Sequence, residues 1–343
     1  MRAGVRALGL LVCTLGCLIA ACTQGPRERV LTGATMGTTW TVKVVSAEPA
    51  VVDEIEARIA GVLTQIDEQM STYRADSVLA RFNAHESRDW FEVPVELAQV
   101  IAAAQRLSVL TQGAFDVTVA PLVALWGFGP DGLRDTIPGE AELAAARASV
   151  GFGRLEVRLD PPALRKAQPT LEVDLNAIAP GYAVDRIAME LEAVGIVDYL
   201  VDVGGELRAR GRNGAGLRWR VAVERPSEGP REAYTVIELD DRAIATSGDY
   251  RQYFEAEGRR YSHTLDPRTA RPVEHALAAV AVVSESAMLA DGLATVLAIL
   301  GPTEGRAFVE AQHLVALFLV RDGAELVEWS TPAFERLRVD RRS

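Results

Sequence analysis

Short runs of alternating apolar and polar residues, separated by glycine-containing turns, fill the region from residue 199 to residue 261. Strands are predicted there at 200–203, 206–210, 217–223 and 234–239, with a hairpin at 253–261 broken by Glu257-Gly258. Outside this region, helical spacing predicts helices at 51–70, 94–110, 140–149, 183–194 and 303–312, and further strands are predicted at 38–45, 155–159, 171–175 and 279–283. Because helices and hairpins are mixed without a regular βαβ alternation, the sequence predicts an α+β fold. Its sheets should be mixed, largely antiparallel and flanked by helices.

The first 22 residues have the pattern of a bacterial export signal. Arg2 and Arg6 precede an apolar run that ends in Ile19-Ala20-Ala21-Cys22, and small residues before a cysteine are typical of a lipoprotein cleavage site. The run is too short for a confident membrane span. A simple signal peptide cut nearby is the alternative. The resulting division is a lipoprotein signal peptide at 1–21, a tether at 22–30 and a folded domain at 31–343.

All three cysteines lie within this leader. Cys13 and Cys17 would leave with the signal peptide and Cys22 would carry the lipid, so no thiol remains for a disulfide, a cysteine metal site or a cysteine nucleophile. The net charge of the whole chain is −11, and such a surface repels nucleic acid. A nucleotide ligand would need a metal ion, helix amino termini or backbone amides to offset that charge.

The stretch from Tyr261 to Thr295 carries the densest set of candidate chemical groups. Its first part predicts a strand running into an Asp-Pro turn, with His263 beside two hydroxyl groups. In its second part Asp291 and Thr295 are four residues apart in an apolar run, so they share one face of a helix. Carboxylate and hydroxyl oxygens suit a hard cation such as Mg²⁺. The alternative is a hairpin followed by a buried helix with a polar cap.

Two segments suggest contact with a flat ring. Tyr73 lies in a loop between two predicted helices, where its ring could stack on an aromatic ligand. Phe115 and Trp126 could line a pocket for such a ring, and Asp116 could accept a hydrogen bond from it. The alternatives are a packed loop tyrosine and aromatic core residues.

Two further segments suggest a close approach to phosphate or metal. Met36-Gly37 begins the first predicted strand, where a glycine permits close contact with a ligand. Residues 173–185 predict a strand, a tight loop and a helix, whose first amides suit a phosphate and whose loop carbonyls suit a metal. The alternatives are an ordinary turn and an ordinary strand-to-helix connection.

Other patterns exclude common nucleotide-binding folds. Gly127 to Gly132 match G-x-G-x-x-G in letters, but no clear strand precedes them and no helix follows directly, so a turn is predicted rather than a Rossmann site. The P-loop pattern does not occur. His85, His275 and His313 lack suggestive neighbours, and we interpret them as surface or core histidines.

Taken in order, these segments resemble the ApbE family of flavin transferases (FAD:protein FMN transferase). The resemblance covers nearly the whole chain after the leader. It is carried by Met36-Gly-Thr38, Ser71-Thr-Tyr73, Phe115-Asp-Val-Thr-Val-Ala-Pro121, Trp126-Gly-Phe-Gly129, Val173-Asp-Leu175, Gly181-Tyr-Ala-Val-Asp185, Gly204-Gly-Glu206, Thr246-Ser-Gly248, Ser262-His263, Asp266-Pro267, Asp291 and Thr295.

The resemblance implies an enzyme that splits the pyrophosphate of FAD and moves FMN onto a threonine hydroxyl group of a target protein, leaving AMP. It implies Mg²⁺ as the cofactor and FAD as a substrate. It also implies that the target threonines lie in exported segments of membrane redox proteins. The expected location is the cell envelope on the periplasmic side, anchored through lipid on Cys22, with the inner membrane favoured over the outer.

The resemblance also implies a role for individual residues. His263 is the candidate base, since the ordinary pKa of histidine lies near neutral pH. Contacts to FAD are implied for Met36, Tyr73, Ala114, Phe115, Asp116, Asp174 and Leu265, and for the position of Pro180. Contacts to Mg²⁺ are implied for Asp291 and Thr295 and for backbone oxygens at Ala177 and Ala294.

One departure from the family pattern concerns a cation. The family usually has lysine where this chain has Pro180, so a positive charge and a backbone N–H are both lost. Arg186 and Arg268 are candidate replacements. Smaller departures are Asn176 for the usual glycine and Gly292 for the usual alanine. Two alternative functions stay open, a FAD pyrophosphatase that gives FMN and AMP, and a flavin-binding lipoprotein without catalysis.

Overall fold

The computed structural model describes residues 27–46, 48–130, 132, 136–227, 229–250 and 253–339. The signal peptide predicted at 1–21 and Cys22, which is predicted to carry lipid, lie outside the described residues. The described part of the chain contains eight α-helices, which are α1 (Pro49–Met70), α2 (Val78–Ala84), α3 (Val95–Leu110), α4 (Ala120–Leu125), α5 (Glu140–Ser149), α6 (Ala179–Ala193), α7 (Ala287–Gln312) and α8 (Pro332–Glu335).

The same described residues contain 17 strands. They are β1 (Arg27–Thr35), β2 (Thr38–Ser46), β3 (Phe91–Glu92), β4 (Leu155–Leu159), β5 (Pro162–Lys166), β6 (Tyr199–Val203), β7 (Glu206–Arg210), β8 (Trp219–Glu224), β9 (Ala233–Leu239), β10 (Arg242–Gly248), β11 (Tyr253–Ala256), β12 (Arg259–Ser262), β13 (Leu265–Asp266), β14 (Arg271–Pro272), β15 (Leu277–Ser284), β16 (Val315–Asp322) and β17 (Glu325–Ser330).

Eight of these strands form one large sheet in the order β1-β2-β6-β7-β10-β15-β16-β17. Each neighbouring pair in that sheet is antiparallel. The smaller groups β3-β5-β4, β8-β9, β11-β12 and β13-β14 are antiparallel as well. The predicted α+β class with largely antiparallel sheets is therefore confirmed.

The strand β15 is apolar along almost its whole length because both of its faces are covered. Val280 and Val282 pack in the main core with α1, α6 and α7. Ala279 and Ala281 pack in a second core with β8, β9 and α8. Since successive strand residues point to opposite faces, one strand stabilises both cores.

A third core joins the hairpin β11-β12 to α4 and α5. The ring of Phe254 stacks on Tyr261 at 5.1 Å, and the buried Trp126 stacks on Tyr261 at 5.6 Å. The Trp126 Nε1–H donates to the carbonyl oxygen of Ala270 at 3.0 Å. This core fixes the end of β12, which leads directly into His263.

Helix α7 is interrupted at Gly301-Pro302, directly before the helix predicted at 303–312. Gly301 has φ 71° and ψ −172°, and Pro302 has no N–H to donate to the carbonyl oxygen of Ala298. His275 Nε2 lies 2.9 Å from that oxygen, and Leu277 N–H donates to His275 Nδ1 at 3.4 Å. The histidine therefore carries its proton on Nε2 and satisfies the carbonyl that the proline leaves.

Helix α7 is also long and apolar enough to cross a membrane by length and composition. Half of its 26 residues are buried, and its buried apolar side chains pack mainly in the main core, between α6 and the large sheet. Packing against those elements accounts for its apolar composition.

Three sequence predictions about local structure differ from the fold. The strand predicted at 171–175 is wrong, because this extended segment pairs with a side chain instead of a strand. Asn83 Nδ2–H donates to Val173 O at 2.9 Å, and Val173 N–H donates to Asn83 Oδ1 at 2.8 Å. Helix α6 begins at Ala179, four residues before the predicted start. β1 begins at Arg27, inside the segment predicted as a tether.

Helices α6 and α7 touch closely at Gly181. A Cβ atom at this position would lie 2.4 Å from the carbonyl oxygen of Ala287, a distance that side chains do not tolerate. The absence of a side chain at Gly181 therefore sets how near the two helices come.

We predict that Gly181→Ala lowers the free energy of unfolding by about 1–3 kcal/mol, because the added methyl group forces the two helices apart. The matched control is Gly61→Ala in α1, where nothing lies within 4 Å of the new Cβ atom. That change should stabilise the protein by up to about 1 kcal/mol through helix propensity. Thermal unfolding of both variants measures the two shifts, and equal shifts would contradict the close contact.

Candidate active site

The candidate site is centred on the carboxylate of Asp291, in the second turn of α7. The side chain is only 6% exposed, and Gly181 N–H donates to Asp291 Oδ2 at 3.0 Å. Because Gly181 belongs to the first turn of α6, this bond joins the acid to the amino-terminal end of a second helix. The start of α6 thus faces the residue that the sequence predicts as a metal ligand.

The predicted partners of Asp291 on α7 lie where helical spacing places them. Ala294 is fully buried and Thr295, one turn beyond Asp291, is half-buried. Gly292 replaces the alanine usual in the family, and here a Cβ atom would lie 2.5 Å from Leu107 Cδ1. The smaller residue therefore makes room for Leu107 of α3.

Burial raises the pKa of Asp291 from 3.8 to about 7, although the Gly181 N–H bond acts in the opposite direction. Burial also raises the pKa of Glu206 well above its usual value, and the nearby charge of Asp291 raises it further. Glu206 follows the Gly204-Gly205 turn at the start of β7. Two carboxyl groups therefore share a region poor in water, where each disfavours ionisation of the other.

A divalent cation fits this set of groups. None of the described Lys or Arg side chains contributes to the pKa shifts of Asp291 or Glu206, so their negative charge has no close protein counter-ion. The described residues also contain no cluster of three or more His, Cys, Asp and Glu side chains arranged for a metal. A cation here would therefore depend on hydroxyl and carbonyl oxygens as well as Asp291, which is the ligand chemistry of Mg²⁺. Thr295 and the half-buried Ala177, just before α6, have oxygens of that kind.

The loop before α6 holds Asp174 in a fixed orientation. Asn176 N–H donates to Asp174 Oδ1 at 2.7 Å, and Asn176 Nδ2–H donates to Asp174 Oδ2 at 3.2 Å. Asn176, a departure from the usual glycine, thus adds a bond to the predicted flavin-binding carboxylate. Burial raises the pKa of Asp174.

Tyr73 and Asp174 are brought together from distant parts of the chain. Burial raises the pKa of the Tyr73 hydroxyl, and the charge of Asp174 raises it further, which places the two groups near each other. The tyrosine residue is nevertheless 63% exposed. Its ring is therefore available to a ligand that also approaches Asp174.

The segment from Ala114 to Asp116 lies beside the same loop, because Asp174 N–H donates to Val117 O at 2.8 Å. Ala114 and Phe115 are buried. Asp116 Oδ1 accepts hydrogen bonds from the Thr118 N–H and hydroxyl, and Asp116 Oδ2 accepts one from Phe152 N–H at 2.7 Å. The Asp116 carboxylate thus organises its own loop, and burial raises its pKa.

Met36 and Leu265 lie in separate cores. Met36 has φ 45° in the turn between β1 and β2 and packs on the main core. A non-glycine residue at positive φ is strained by about 1 kcal/mol, so this turn is held by its surroundings. Leu265 is buried in the third core, two residues after His263.

His263 follows β12 and is half-buried, with its ring edge-on to Phe128 at 6.3 Å. The next residue is linked to α7, since Val273 N–H donates to Thr264 O at 3.0 Å and His275 bonds to Ala298 O. Ala298 lies three residues beyond Thr295. Hydrogen bonds therefore connect the segment of the candidate base to the helix of the candidate metal ligands.

Pro180 occupies the first turn of α6, directly before the Gly181 N–H that binds Asp291. Neither candidate replacement for the family's lysine is unpaired. Arg268 Nε–H and Nη2–H donate to the two oxygens of Asp266, at 3.0 and 2.8 Å. Arg186 lies 3.9 Å from Glu190 on α6. Both arginines are thus paired with carboxylates, Arg268 with Asp266 and Arg186 with Glu190.

Sequence reasoning missed the importance of several supporting residues. Glu206 and Asp185 belong to the family pattern, but the sequence gives no indication of their roles, and it predicts His275 only as a surface or core histidine. A histidine 27 residues before a helix-breaking Pro302 gives no local signal of its bond to Ala298. Asp185 likewise lies within a predicted helix, and nothing in the neighbouring sequence indicates that it binds Ala287.

Comparison with known proteins gives a consistent match. Residues 36–318 match the sequence model of the ApbE family. The FAD:protein FMN transferase of Vibrio cholerae is 43% identical over 338 residues, covering 98% of each chain. The solved flavin transferase ApbE of Vibrio cholerae is similar at TM-score 0.84 and 42% identity, covering 91% of this chain and 99% of that chain. The Pseudomonas stutzeri flavinyl transferase ApbE, apo form, matches at TM-score 0.83 and 44% identity, covering 91% and 97%.

We predict that Asp291→Asn changes how stability depends on pH when no divalent cation is present. The folded-state pKa of about 7 exceeds the ordinary 3.8, so the folded protein binds this proton more tightly than the unfolded chain. The resulting stabilisation is complete below pH 3.8 and is lost as the pH rises to about 7, at most ~4 kcal/mol. Asparagine does not ionise, so the variant has no buried negative charge that would destabilise the folded protein at high pH.

Thermal unfolding in EDTA at pH 5 and pH 8 provides the measurement. The variant should gain stability relative to the unsubstituted protein at pH 8 but much less at pH 5. Asp53→Asn, at an exposed position of α1, controls for the change in net charge. A gain that is the same at both pH values would refute the role of burial.

Proposed function

The chain belongs to the ApbE family, and we propose that it transfers FMN from FAD to a threonine hydroxyl group of a target protein, with Mg²⁺ as cofactor and AMP as the second product. The buried Asp291 carboxylate, which has no counter-ion among the residues that the structure describes and faces the start of α6, carries this proposal. The names of the relatives from Vibrio cholerae, FAD:protein FMN transferase and flavin transferase ApbE, support the transfer of FMN from FAD to a protein.

The proposed step is an in-line displacement at the phosphorus atom of the FMN half of FAD. A bond forms between the threonine Oγ and that phosphorus, and the bond from phosphorus to the bridging oxygen breaks. AMP leaves with the bridging oxygen and its electron pair. No covalent enzyme intermediate is needed, so the reaction does not require a cysteine among residues 23–343, which contain none.

His263 is proposed to accept the proton of the attacking hydroxyl group. Its position just after β12 is fixed by the third core, by the hydrogen bond from Val273 to Thr264, and by the hydrogen bond from His275 to Ala298 of α7. Asp291, Thr295 and the backbone oxygens at Ala177 and Ala294 are proposed to hold Mg²⁺. That ion would neutralise the charge that builds up on the pyrophosphate.

The flavin half of the substrate is proposed to lie near Tyr73 and Asp174. Tyr73 has an exposed ring for stacking, and the Asp174 carboxylate is oriented by Asn176. Met36 and Leu265, with the segment from Ala114 to Asp116, are proposed as further contacts. Because the side chains of that segment are buried, they would support the pocket more than cover the ligand.

The location and the targets are part of the same proposal. Lipid on Cys22 would anchor the protein on the periplasmic side of the cell envelope, with the inner membrane favoured. The acceptors would then be threonine-bearing exported segments of membrane redox proteins. The negative net charge of the chain argues against nucleic acid as a partner.

Incubation with FAD, Mg²⁺ and a threonine-bearing acceptor tests the reaction. We expect flavin fluorescence on the acceptor band of a denaturing gel, lost with His263→Ala and lost when the acceptor threonine is replaced by valine. Release of free FMN without labelling of the acceptor would instead support a FAD pyrophosphatase. Bound FAD that stays intact would support a flavin-binding protein without catalysis.

Pro180→Lys should lower the KM for FAD, because it restores a cation and an N–H at the start of α6. Pro180→Ala is the matched control, since it restores the N–H alone. Steady-state transfer rates at varied FAD concentration distinguish the two variants. An equal KM for both would mean that the missing charge does not weaken substrate binding.

A further inference from the structure

Asp185, on α6, makes its hydrogen bonds to other elements of the fold. Its Oδ1 accepts from Ala287 N–H at 2.9 Å, and its Oδ2 accepts from Met288 N–H at 3.0 Å. The Ser286 hydroxyl donates to Oδ2 at 2.7 Å. One carboxylate of α6 thus caps the first turn of α7.

This cap satisfies amides that a helix cannot satisfy itself. The first N–H groups of any α-helix lack partners within the helix. In α7, Ala287 and Met288 use Asp185, while Leu289 N–H donates to the Ser286 hydroxyl at 3.2 Å. The negative charge of Asp185 also lies at the positive end of the α7 dipole.

Arg208 of β7 holds Asp185 from the other side. Arg208 Nη1–H donates to Asp185 Oδ1 at 3.0 Å and to Glu285 O at 2.8 Å. The two side chains are only 19% and 16% exposed. The ion pair is therefore mostly removed from water, and the carboxylate has little freedom to move.

Two contacts between the helices are spaced one turn apart. Asp185 of α6 accepts a hydrogen bond from the amide of Ala287 in α7. Gly181, four residues before Asp185, donates to Asp291, which lies four residues after Ala287. The helices consequently run in opposite directions with two hydrogen-bonded positions in register. Sliding α7 by even a fraction of a turn would break both contacts.

We propose that Asp185 is a positioning residue for the metal site. It fixes the helix of Asp291 and Thr295 against the helix that follows Ala177, and so sets the separation of the oxygens that would hold the cation. Asp185 itself does not touch the cation or the substrate. This inference rests on the proposed function, because it assumes that a divalent cation binds at Asp291.

The test measures binding of Mg²⁺ alone by isothermal titration calorimetry, with no FAD and no acceptor. Asp185→Asn keeps the volume but replaces one acceptor oxygen by an amide, and we expect about a tenfold or greater loss of Mg²⁺ affinity. Asp185→Glu keeps the charge but lengthens the side chain. We expect a comparable loss from it, since position rather than charge is decisive.

Asp249→Asn is the matched control. Asp249 forms a two-fold ion pair with Arg321, at 2.6 and 2.7 Å, and is similarly buried at 19% exposure. Its replacement should lower the melting temperature without weakening Mg²⁺ binding. Unchanged affinity in both Asp185 variants would overturn the inference, as would an equal loss in Asp249→Asn.

The activity assay separates this inference from the proposed function. We expect the Asp185 variants to need more Mg²⁺ for half-maximal transfer but to approach the normal rate at saturating Mg²⁺. If Asp185→Asn does not fold, Asp185→Glu decides the question by the same titration. If the unsubstituted protein binds no Mg²⁺, the proposed function fails at Asp291 and the inference fails with it.

Discussion

The close contact between α6 and α7 is the constraint on which the rest of the site depends. A residue without a side chain, Gly181, lets a backbone amide reach the buried carboxylate of Asp291. That contact removes the acid from water, and burial raises its pKa. A buried carboxylate without a counter-ion has a strong preference for a cation. Helix packing is therefore also the source of the electrostatic property that suits the site to a metal.

The site lies where separate hydrophobic cores meet. Phe115, Ala177 and Ala294 belong to the main core or pack on it, whereas Leu265 belongs to the third core with Trp126. The main core positions the helices with the acidic and hydroxyl groups, and the third core positions the strand β12, which leads into His263. Hydrogen bonds through residues 264, 273 and 275 connect the two parts. Each of the two groups of site residues is thus supported by its own hydrophobic core, and the hydrogen bonds between the two parts fix their relative position.

Features with a local signal could be predicted from the sequence. The sequence predicts the hairpin turn at Glu257-Gly258 and a helix that begins just after Gly301-Pro302, because glycine and proline constrain the backbone of their own neighbours. The shared face of Asp291 and Thr295 follows from helical spacing. The segment at 171–175 was assigned wrongly because Asn83, far away in the chain, replaces a neighbouring strand. The positions of Asp185 and Glu206 in the site could not be predicted for the same reason. Asp185 binds Ala287, 102 positions away, and Glu206 lies near Asp291, and only the fold brings these residues together.

The bond between Gly181 and Asp291 joins residues 110 positions apart, and this separation has a consequence during synthesis. A growing polypeptide contains the loop at Ala177 long before it contains α7, so the two halves of the site coexist only after α7 has been synthesised. A nascent chain that is still emerging from the ribosome cannot bring them together. Shortened products that end before α7 would lack the carboxylate altogether, so they could not form this candidate site for a cation.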